Sequence, residues 1–335
     1  MVKRHIWELC PESEALSLPS PLKASGFKVN IIALGDVGAT LLLGLKLLGG
    51  GLIDSIGIYD MNPAAASRYE MEMNQMGWPF EMCGQGDALP VVKIISERDL
   101  FDCDMIVFCA SKSVPAVGQD QGGDVRMAQF DANRKIAAHY GHLAAEASFK
   151  GIFAVVSDPV DPLCKEVLLS SGLSAGQVRG YGLGVMNKRA EYFAAKDPSF
   201  RSYISEGRAY GPHGSDLVIA NSIENYDDDI SFRLTKLTVE ANLKMRSIGF
   251  KPYMAPAISS GAISLILTLR GEWNYSSVYL GKGSEGAFLG IKNRIDRGDT
   301  VLEDIPLPET LYRRIEVSYL SLIHISEPTR QEAIS

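Results

Sequence analysis

The sequence has few cysteines, no excess of basic charge and no long apolar run, and each shortage excludes a class of protein. Its 335 residues include five cysteines, none in a C-x-x-C pair, which predicts reduced thiols in a cytoplasmic protein. The formal net charge of -7 leaves no basic face for a nucleic-acid partner. The apolar run ATLLLGLKLLGG, interrupted by Lys46, is too short to cross a bilayer. We therefore expect no membrane partner, and the polar N-terminal stretch does not resemble a secretory signal.

Strand-like and helix-like segments alternate over the first 165 residues. Hydrophobic residues make up 46% of the chain and charged residues 22%, the balance of a soluble globular protein. Alternation of this kind predicts an α/β fold, a Rossmann-type doubly wound parallel sheet covered on both faces. The predicted strands cover 28–34, 55–60, 91–95, 104–110 and 151–159, and the predicted helices 39–48, 62–76 and 125–149.

A different pattern follows and predicts a second, α+β domain. It contains a strand-like stretch GQVRGYGLGV, a long amphipathic helix SFRLTKLTVEANLKMRSIGF and three strands of a meander. We expect an N-terminal arm over 1–26, a nucleotide-binding domain over 27–172, a catalytic domain over 173–320 and a tail over 321–335. The tail contains HISEPTR, which resembles a translated sequencing adapter. A genuine tail and a non-native one both remain open.

The stretch IIALGDVGATLLLGLKLLG resembles a dinucleotide-binding turn between a strand and a helix. In a G-x-G-x-x-G turn the first glycine permits the tight bend, the second admits the diphosphate and the third lets the helix pack closely. Gly35 and Gly38 fill the second and third places around Asp36 and Val37, whereas Ala33 fills the first. We expect a negative φ at Ala33 and a slightly opened turn. Taken alone, the glycines are equally typical of ordinary strand–helix packing.

Asp60 closes the second predicted strand at the spacing of a ribose-binding carboxylate. Such a group accepts hydrogen bonds from both adenosine hydroxyls and repels a 2′-phosphate, which favours NAD over NADP. The strand, the turn, the helix and this acid together predict NAD as the cofactor.

Four further motifs follow in the order RMAQFDAN, SDPVDPL, NKRAEY and GPHGSD. In this order and at these distances, they resemble the mobile loop, the N-P-V-D turn, the arginine segment and the histidine turn of the lactate/malate dehydrogenase family. The resemblance covers about residues 29–319 and identifies the chain as a divergent member. It implies an NAD-dependent 2-hydroxy-acid dehydrogenase, a small 2-oxo acid as partner, and a homodimer or homotetramer built partly on the helix after Asp60. It also places Ala110 and Asn133 beside the cofactor.

Three side chains carry the implied chemistry. His213 would give a proton to the carbonyl oxygen and reclaim it in reverse. Arg189 would grip the substrate carboxylate with a two-pronged hydrogen bond. Arg126, beyond the glycine-rich loop, would help a lid to polarise the carbonyl and exclude water. Each has a plainer interpretation, as a loop histidine, a helix-surface arginine and a solvated charge.

Two departures from the family pattern put the chemistry in doubt. Met186 stands where the family has the aspartate that orients the histidine, and Asp158 stands where the family has asparagine. Methionine accepts no imidazole proton. Our hypothesis is that Asp158 supplies the carboxylate from the other side. The competing hypothesis is an NAD-binding relative with poor turnover, serving as a sensor or a structural partner.

The loop between Ser111 and Val125 bears on the substrate. It contains Lys112 but no arginine, and Gln119, Asp120 and Gln121 stand where specificity would be read. We therefore expect a lactate-like or larger 2-hydroxy acid rather than a dicarboxylate.

Metal chemistry has little support in the sequence. A third alternative, an enzyme acting on a sugar derivative, would need a metal-binding Cys/His set that is not seen. The pair His139 and His142 lacks a third ligand nearby in sequence. No metal is expected.

Overall fold

The computed structural model describes residues 3–78, 88–112, 125–214 and 216–326. The predicted specificity residues Gln119, Asp120 and Gln121 lie outside these ranges, as does the end of the tail after residue 326. The strands are β1 (Lys3–Arg4), β2 (Phe27–Ile32), β3 (Ile53–Tyr59), β4 (Val91–Ile94), β5 (Met105–Phe108), β6 (Ile152–Val155), β7 (Val178–Gly180), β8 (Arg208–Tyr210), β9 (Val218–Ala220), β10 (Asn274–Lys282), β11 (Glu285–Asp296), β12 (Asp299–Leu302) and β13 (Leu307–Pro308).

The helices that begin at Pro63 and at Asp228 have capping side chains. Asn62 accepts a hydrogen bond from the Ala64 N–H at 3.1 Å, with Pro63 in the first helical position. Asp227 accepts one from the Ile230 N–H at 2.9 Å. The helices are α1 (Asp36–Leu48), α2 (Pro63–Asn74), α3 (Val125–Glu146), α4 (Val160–Ser171), α5 (Leu183–Lys196), α6 (Tyr203–Glu206), α7 (Asp228–Ser247), α8 (Ser264–Leu269) and α9 (Glu309–Ser326), with a π-helical segment at Pro256–Ile263.

Nine strands of the described residues form one sheet in the order β12-β11-β10-β7-β6-β5-β2-β3-β4. The strands from β7 to β4 are parallel to one another. Side chains alternate between the two faces, so that Val107 joins the core beneath α1 while Ile106 and Phe108 join the core beneath α3 and α4. The predicted doubly wound parallel sheet is confirmed.

The meander continues this sheet instead of forming a separate one. β10 pairs antiparallel with β7 through Ser277 and Gly180, and β11 and β12 follow it. β7 follows the predicted boundary at residue 172 and still pairs parallel with β6. The stretch GQVRGYGLGV, predicted as strand-like, is a strand only at Val178–Gly180 and enters α5 at Leu183. One sheet therefore crosses the predicted boundary.

Arg179 connects the two halves inside the sheet. It is 1% exposed, and burial lowers the pKa of its guanidinium. Its guanidinium donates to Asn293 Oδ1 at 2.7 Å, to Ser276 Oγ at 3.4 Å and to Thr300 Oγ1. All three partners belong to the meander, so a charge on β7 is satisfied by the second half of the chain.

The N-terminal arm lies against the second half. β1 pairs with β13, and Ile6 is buried in the core cluster of β10, β11 and α9. Ser17 bridges to Asp299. Of the predicted tail, Leu322 belongs to α9 and is 3% exposed.

Two properties of the described ranges bear on the expected class of protein. Among these residues no helix is both long and apolar enough to cross a membrane. Cys10, Cys103, Cys109 and Cys164 are free thiols. Burial raises the pKa of the Cys164 thiol well above its usual value, so this thiol stays protonated.

Candidate active site

The glycine-rich turn joins β2 to α1 and contains one strained residue. Ala33 has φ 72°, in the left-handed region, so the prediction of a negative φ is wrong. The turn holds it there because the Ala33 N–H donates to the Tyr59 carbonyl at 2.8 Å. The alanine therefore adopts the conformation that glycine adopts readily, with strain of about 1–2 kcal/mol.

The two glycines that follow have different surroundings. A Cβ on Gly38 would lie 2.0 Å from the Ala33 carbonyl oxygen and 3.3 Å from Cys109 Cβ, so only glycine lets α1 approach the turn. A Cβ on Gly35, the residue before α1, would meet nothing within 4 Å. The helix N-terminus therefore faces open space across a bare backbone, which fits the diphosphate of a dinucleotide.

Asp60 follows β3 and lies beside the turn. Its Oδ2 accepts from the Leu34 N–H at 2.7 Å and its Oδ1 from the Asn62 N–H at 2.8 Å. The carboxylate thus sits where the ends of two parallel strands meet, which suits a ribose of a bound dinucleotide. Its predicted role toward that ribose stays a prediction.

Asn133 holds the ends of two other strands together. It is fully buried on α3. Its Oδ1 accepts from the Lys112 N–H at 2.8 Å and its Nδ2 donates to the Asp158 carbonyl at 3.0 Å. Ser157 Oγ, beside them, donates to the Ala110 carbonyl at 2.5 Å. These bonds fix the loops after β5 and β6, and they consume much of the hydrogen-bonding capacity of Asn133.

His213 lies in the loop between β8 and β9 and faces the loop after β6. Its Nδ1 is 3.2 Å from Asp158 Oδ1. The His213 side chain is 11% exposed and that of Asp158 is 55% exposed. A Cβ on Gly182 would lie 2.7 Å from His213 Cβ, so this glycine makes room for the imidazole. Gly211, two residues before His213, has φ 91°, a left-handed conformation that bends the loop ahead of the histidine.

In the contact between His213 and Asp158, the ring nitrogen that faces the carboxylate is Nδ1. A carboxylate at Nδ1 accepts the Nδ1 proton and stabilises an imidazolium. Proton transfer then falls to Nε2, as general acid–base chemistry requires of an oriented imidazole. The structure thus brings together the pair that the sequence hypothesis joins.

Arg189 lies on α5, three residues after Met186. Its Nη2 donates to Asn242 Oδ1 at 2.5 Å, and its Nη1 lies 3.4 Å from Met186 Sδ. Burial lowers the pKa of the guanidinium, and the nearby charge of Asp158 acts in the opposite direction. Arg189, Asp158 and His213 therefore form one electrostatic group, and Met186 packs against the arginine.

Other predicted residues lie apart or outside the described side chains. Arg126 falls in the first turn of α3, where the side chains are not described. Val37 packs against the core beneath α1. His139 Nε2 lies 3.6 Å from Glu97 Oε1. The described ranges contain no group of three or more metal-ligating side chains.

Three positioning residues escaped the sequence reasoning. Gly182 leaves space for the His213 side chain. Asn242 accepts a hydrogen bond from the Arg189 guanidinium and so orients it. The Ser260 hydroxyl donates to the Gly182 carbonyl and accepts from the Val185 N–H, both at 2.8 Å. Ser260 belongs to the π-helical segment, so this segment fixes the start of α5. Asn242 is a polar residue on an amphipathic helix and belongs to no motif. For Gly182, the glycine spacing in GYGLG is the signal that could have identified it.

The chain is similar to known proteins, most clearly over its first half. Residues 27–180 match the family described as lactate/malate dehydrogenase, NAD binding domain. The chain is 30% identical to an L-lactate dehydrogenase from Treponema denticola over 198 residues, 58% of each chain. It therefore spans somewhat more than half the length of that relative.

Solved structures share the fold over nearly the whole chain. The minor L-lactate dehydrogenase from Enterococcus mundtii superposes with a TM-score of 0.73 at 21% identity, covering 91% of this chain and 98% of the other. A malate dehydrogenase from Archaeoglobus fulgidus in complex with NADH superposes at 0.70 and 18% identity, covering 90% and 98%. Residues 27–180 are therefore an NAD-binding domain of the lactate/malate dehydrogenase type, and nearly the whole chain shares the fold of these solved structures.

Proposed function

We propose that the protein is an NAD-dependent 2-hydroxy-acid dehydrogenase that interconverts a 2-hydroxy acid and a 2-oxo acid. One observation carries the proposal: a carboxylate lies 3.2 Å from the Nδ1 of His213, although the family's aspartate is replaced by Met186. Its relatives carry lactate dehydrogenase names, and the site retains a histidine, a carboxylate and an arginine in one group.

His213 moves the proton in this proposal. A bound NADH would supply the hydride for reduction of the substrate carbon, and NAD would accept it in the reverse direction. In the direction of reduction, the carbonyl oxygen becomes negative and takes the Nε2 proton of His213 to form the hydroxyl group. Asp158 stabilises the imidazolium before the transfer, and solvent restores the proton afterwards.

Arg189 binds the substrate carboxylate. Its guanidinium is largely buried and Asn242 holds one of its amino groups, so the remaining N–H groups are presented in a fixed orientation. A fork of this kind holds a carboxylate through two parallel hydrogen bonds and fixes which carbon faces the nicotinamide. Arg126 on the lid and the ribose contact of Asp60 complete the proposed site.

We propose a monocarboxylic 2-oxo acid as substrate, because Lys112 and the arginine-free loop after it offer no second arginine for a distal carboxylate. We also propose a cytoplasmic homodimer or homotetramer. Exposed apolar side chains at the end of α7 and just after it support an interface between subunits: Leu243, Ile248, Phe250 and Met254.

The test is oxidation of NADH, followed at 340 nm, with a panel of 2-oxo acids of increasing side-chain size and one dicarboxylate. We expect turnover with at least one monocarboxylic acid. Arg189→Gln should lower kcat/KM for that acid by roughly 10³-fold, the effect of removing one partner of a buried hydrogen-bonded charge pair. Most of the loss should appear in KM.

Arg201→Gln, on the turn between Pro198–Phe200 and α6, is the matched control and should retain wild-type kinetics. Tight NADH binding without turnover on any acid would reject the dehydrogenase and favour a sensing or structural role. Equal losses in both arginine variants would remove Arg189 from the substrate site.

A further inference from the structure

A lysine from the second half of the chain reaches the cofactor turn. Lys251 Nζ lies 3.0 Å from Asp36 Oδ2. Asp36 is the first residue of α1, directly after Gly35. The two side chains are 53% and 50% exposed, so the pair lies at the mouth of the turn rather than in the core.

The backbone holds Lys251 in place. Two residues after the end of α7, Gly249 has φ 89° and its N–H donates to the Arg246 carbonyl at 2.9 Å. The chain then enters the π-helical segment, which packs tightly on α1. A Cβ on Gly44 would lie 2.6 Å from Ala262 Cβ, and one on Gly261 would lie 2.7 Å from Leu41. The helix that presents Asp36 therefore also packs against the segment that begins five residues after Lys251.

Asp36 alone would oppose cofactor binding. The N-terminus of α1 attracts an anion through its free N–H groups and its dipole. A carboxylate in the first helical position uses the same field and repels a diphosphate placed beside it. The net charge of -7 adds a weaker repulsion over longer range. A cation at this point removes the nearest unfavourable charge.

We propose that Lys251 is a cofactor-binding residue: it neutralises Asp36 and presents its ammonium group to the diphosphate of NAD. This rests on the NAD-binding part of the proposed function, and it is independent of turnover. The second half of the chain thereby contributes to the dinucleotide site, and the contact joins the two halves when the cofactor binds.

The experiment measures NADH affinity by fluorescence titration without substrate, and ADP-ribose affinity by calorimetry. Lys251→Met should weaken both about tenfold, the value of one charge-assisted hydrogen bond to phosphate. Asp36→Asn should leave NADH affinity unchanged or raise it a few fold. The double variant should bind more tightly than Lys251→Met alone, because the uncompensated carboxylate has gone. Added salt should weaken NADH binding less in Lys251→Met than in the wild type.

Lys196→Met is the control, since Lys196 is an exposed lysine of the second half that pairs with Tyr192. It should bind NADH as the wild type does, and thermal unfolding should show that all variants are folded. Wild-type affinity in Lys251→Met overturns the proposal, as does a wild-type protein that binds no NADH. NADH binding that depends on Lys251, without turnover on any 2-oxo acid, rejects the dehydrogenase and retains this inference.

Discussion

The cofactor turn and the histidine site each depart from the family pattern, and they tolerate the departure differently. In the turn, Ala33 replaces a glycine whose role belongs to the backbone, and the alanine adopts φ 72°. In the histidine site, Met186 replaces an aspartate whose role belongs to a charged side chain. No backbone adjustment supplies a charge, and the carboxylate comes from Asp158 on another loop. A backbone role can be filled under strain, whereas a charge has to be replaced by another charge.

The largest predicted effect tests the replaced charge. Asp158→Asn should lower kcat/KM for 2-oxo acid reduction by about 10²–10³-fold, within the range of general acid–base assistance. The measurement is kcat/KM for the 2-oxo acid with saturating NADH at pH 7.

Asp216→Asn is the control for this substitution, because Asp216 lies in the same loop as His213 and bonds to Ser321 instead. Its kcat/KM should match the wild type. Adding Met186→Asp to Asp158→Asn returns a carboxylate to the family's position and should recover part of the rate. An unchanged kcat/KM in Asp158→Asn would show that the imidazole needs no carboxylate, and the comparison with the turn would fail.

The second prediction, of intermediate size, concerns the pH dependence of stability and not the reaction. Burial would raise the pKa of Glu303, but hydrogen bonds from Arg208 and Lys292 outweigh it and hold the pKa below its ordinary value. This stabilisation is complete above the unfolded-state pKa, about 4.3, and is lost as the pH falls through the folded-state pKa. Glu303→Gln should therefore lower the free energy of unfolding at pH 7 by about 2 kcal/mol.

Urea unfolding at pH 7 and near pH 3 measures this effect. The gap between the two proteins should narrow at the lower pH, since the wild-type carboxylate takes up a proton as the pH falls through its folded-state pKa. Glu316→Gln, which removes a partner of the exposed Arg313 on α9, should change little at either pH. A gap of equal size at both pH values would mean that lost packing, rather than charge, destabilises the variant.

The smallest effect belongs to the turn. Ala33→Gly relieves the left-handed strain but gives the unfolded chain more freedom, so we expect a gain of about 0.5 kcal/mol in the free energy of unfolding. NADH affinity should stay within about twofold of the wild type, because the bond that holds this turn uses the backbone. Thermal unfolding and fluorescence titration measure both quantities. A large change in affinity would show that the alanine methyl group shapes the cofactor site.

The sequence predicted more of the fold than of the site. Runs of β-branched and apolar residues located β2 to β6, and Asn62 and Pro63 located the start of α2. The pairing of β10 with β7 could not be predicted, because the residue pattern of a strand does not indicate which strand lies beside it. At the site, the motifs singled out His213, Asp158 and Arg189. Asn242 and Lys251 act from helical and loop positions whose sequence resembles any solvated surface.

Arg179 gives the nine-stranded sheet a consequence for how the chain can be divided. A truncated chain that stops at Gly180 would retain the matched NAD-binding segment, yet it would strip this guanidinium of Asn293, Ser276 and Thr300. It would also expose the edge of β7 that pairs with β10. Exposed strand edges can pair with other chains and cause aggregation. The NAD-binding segment therefore depends on the second half of the chain, which covers its β7 edge and binds its buried guanidinium.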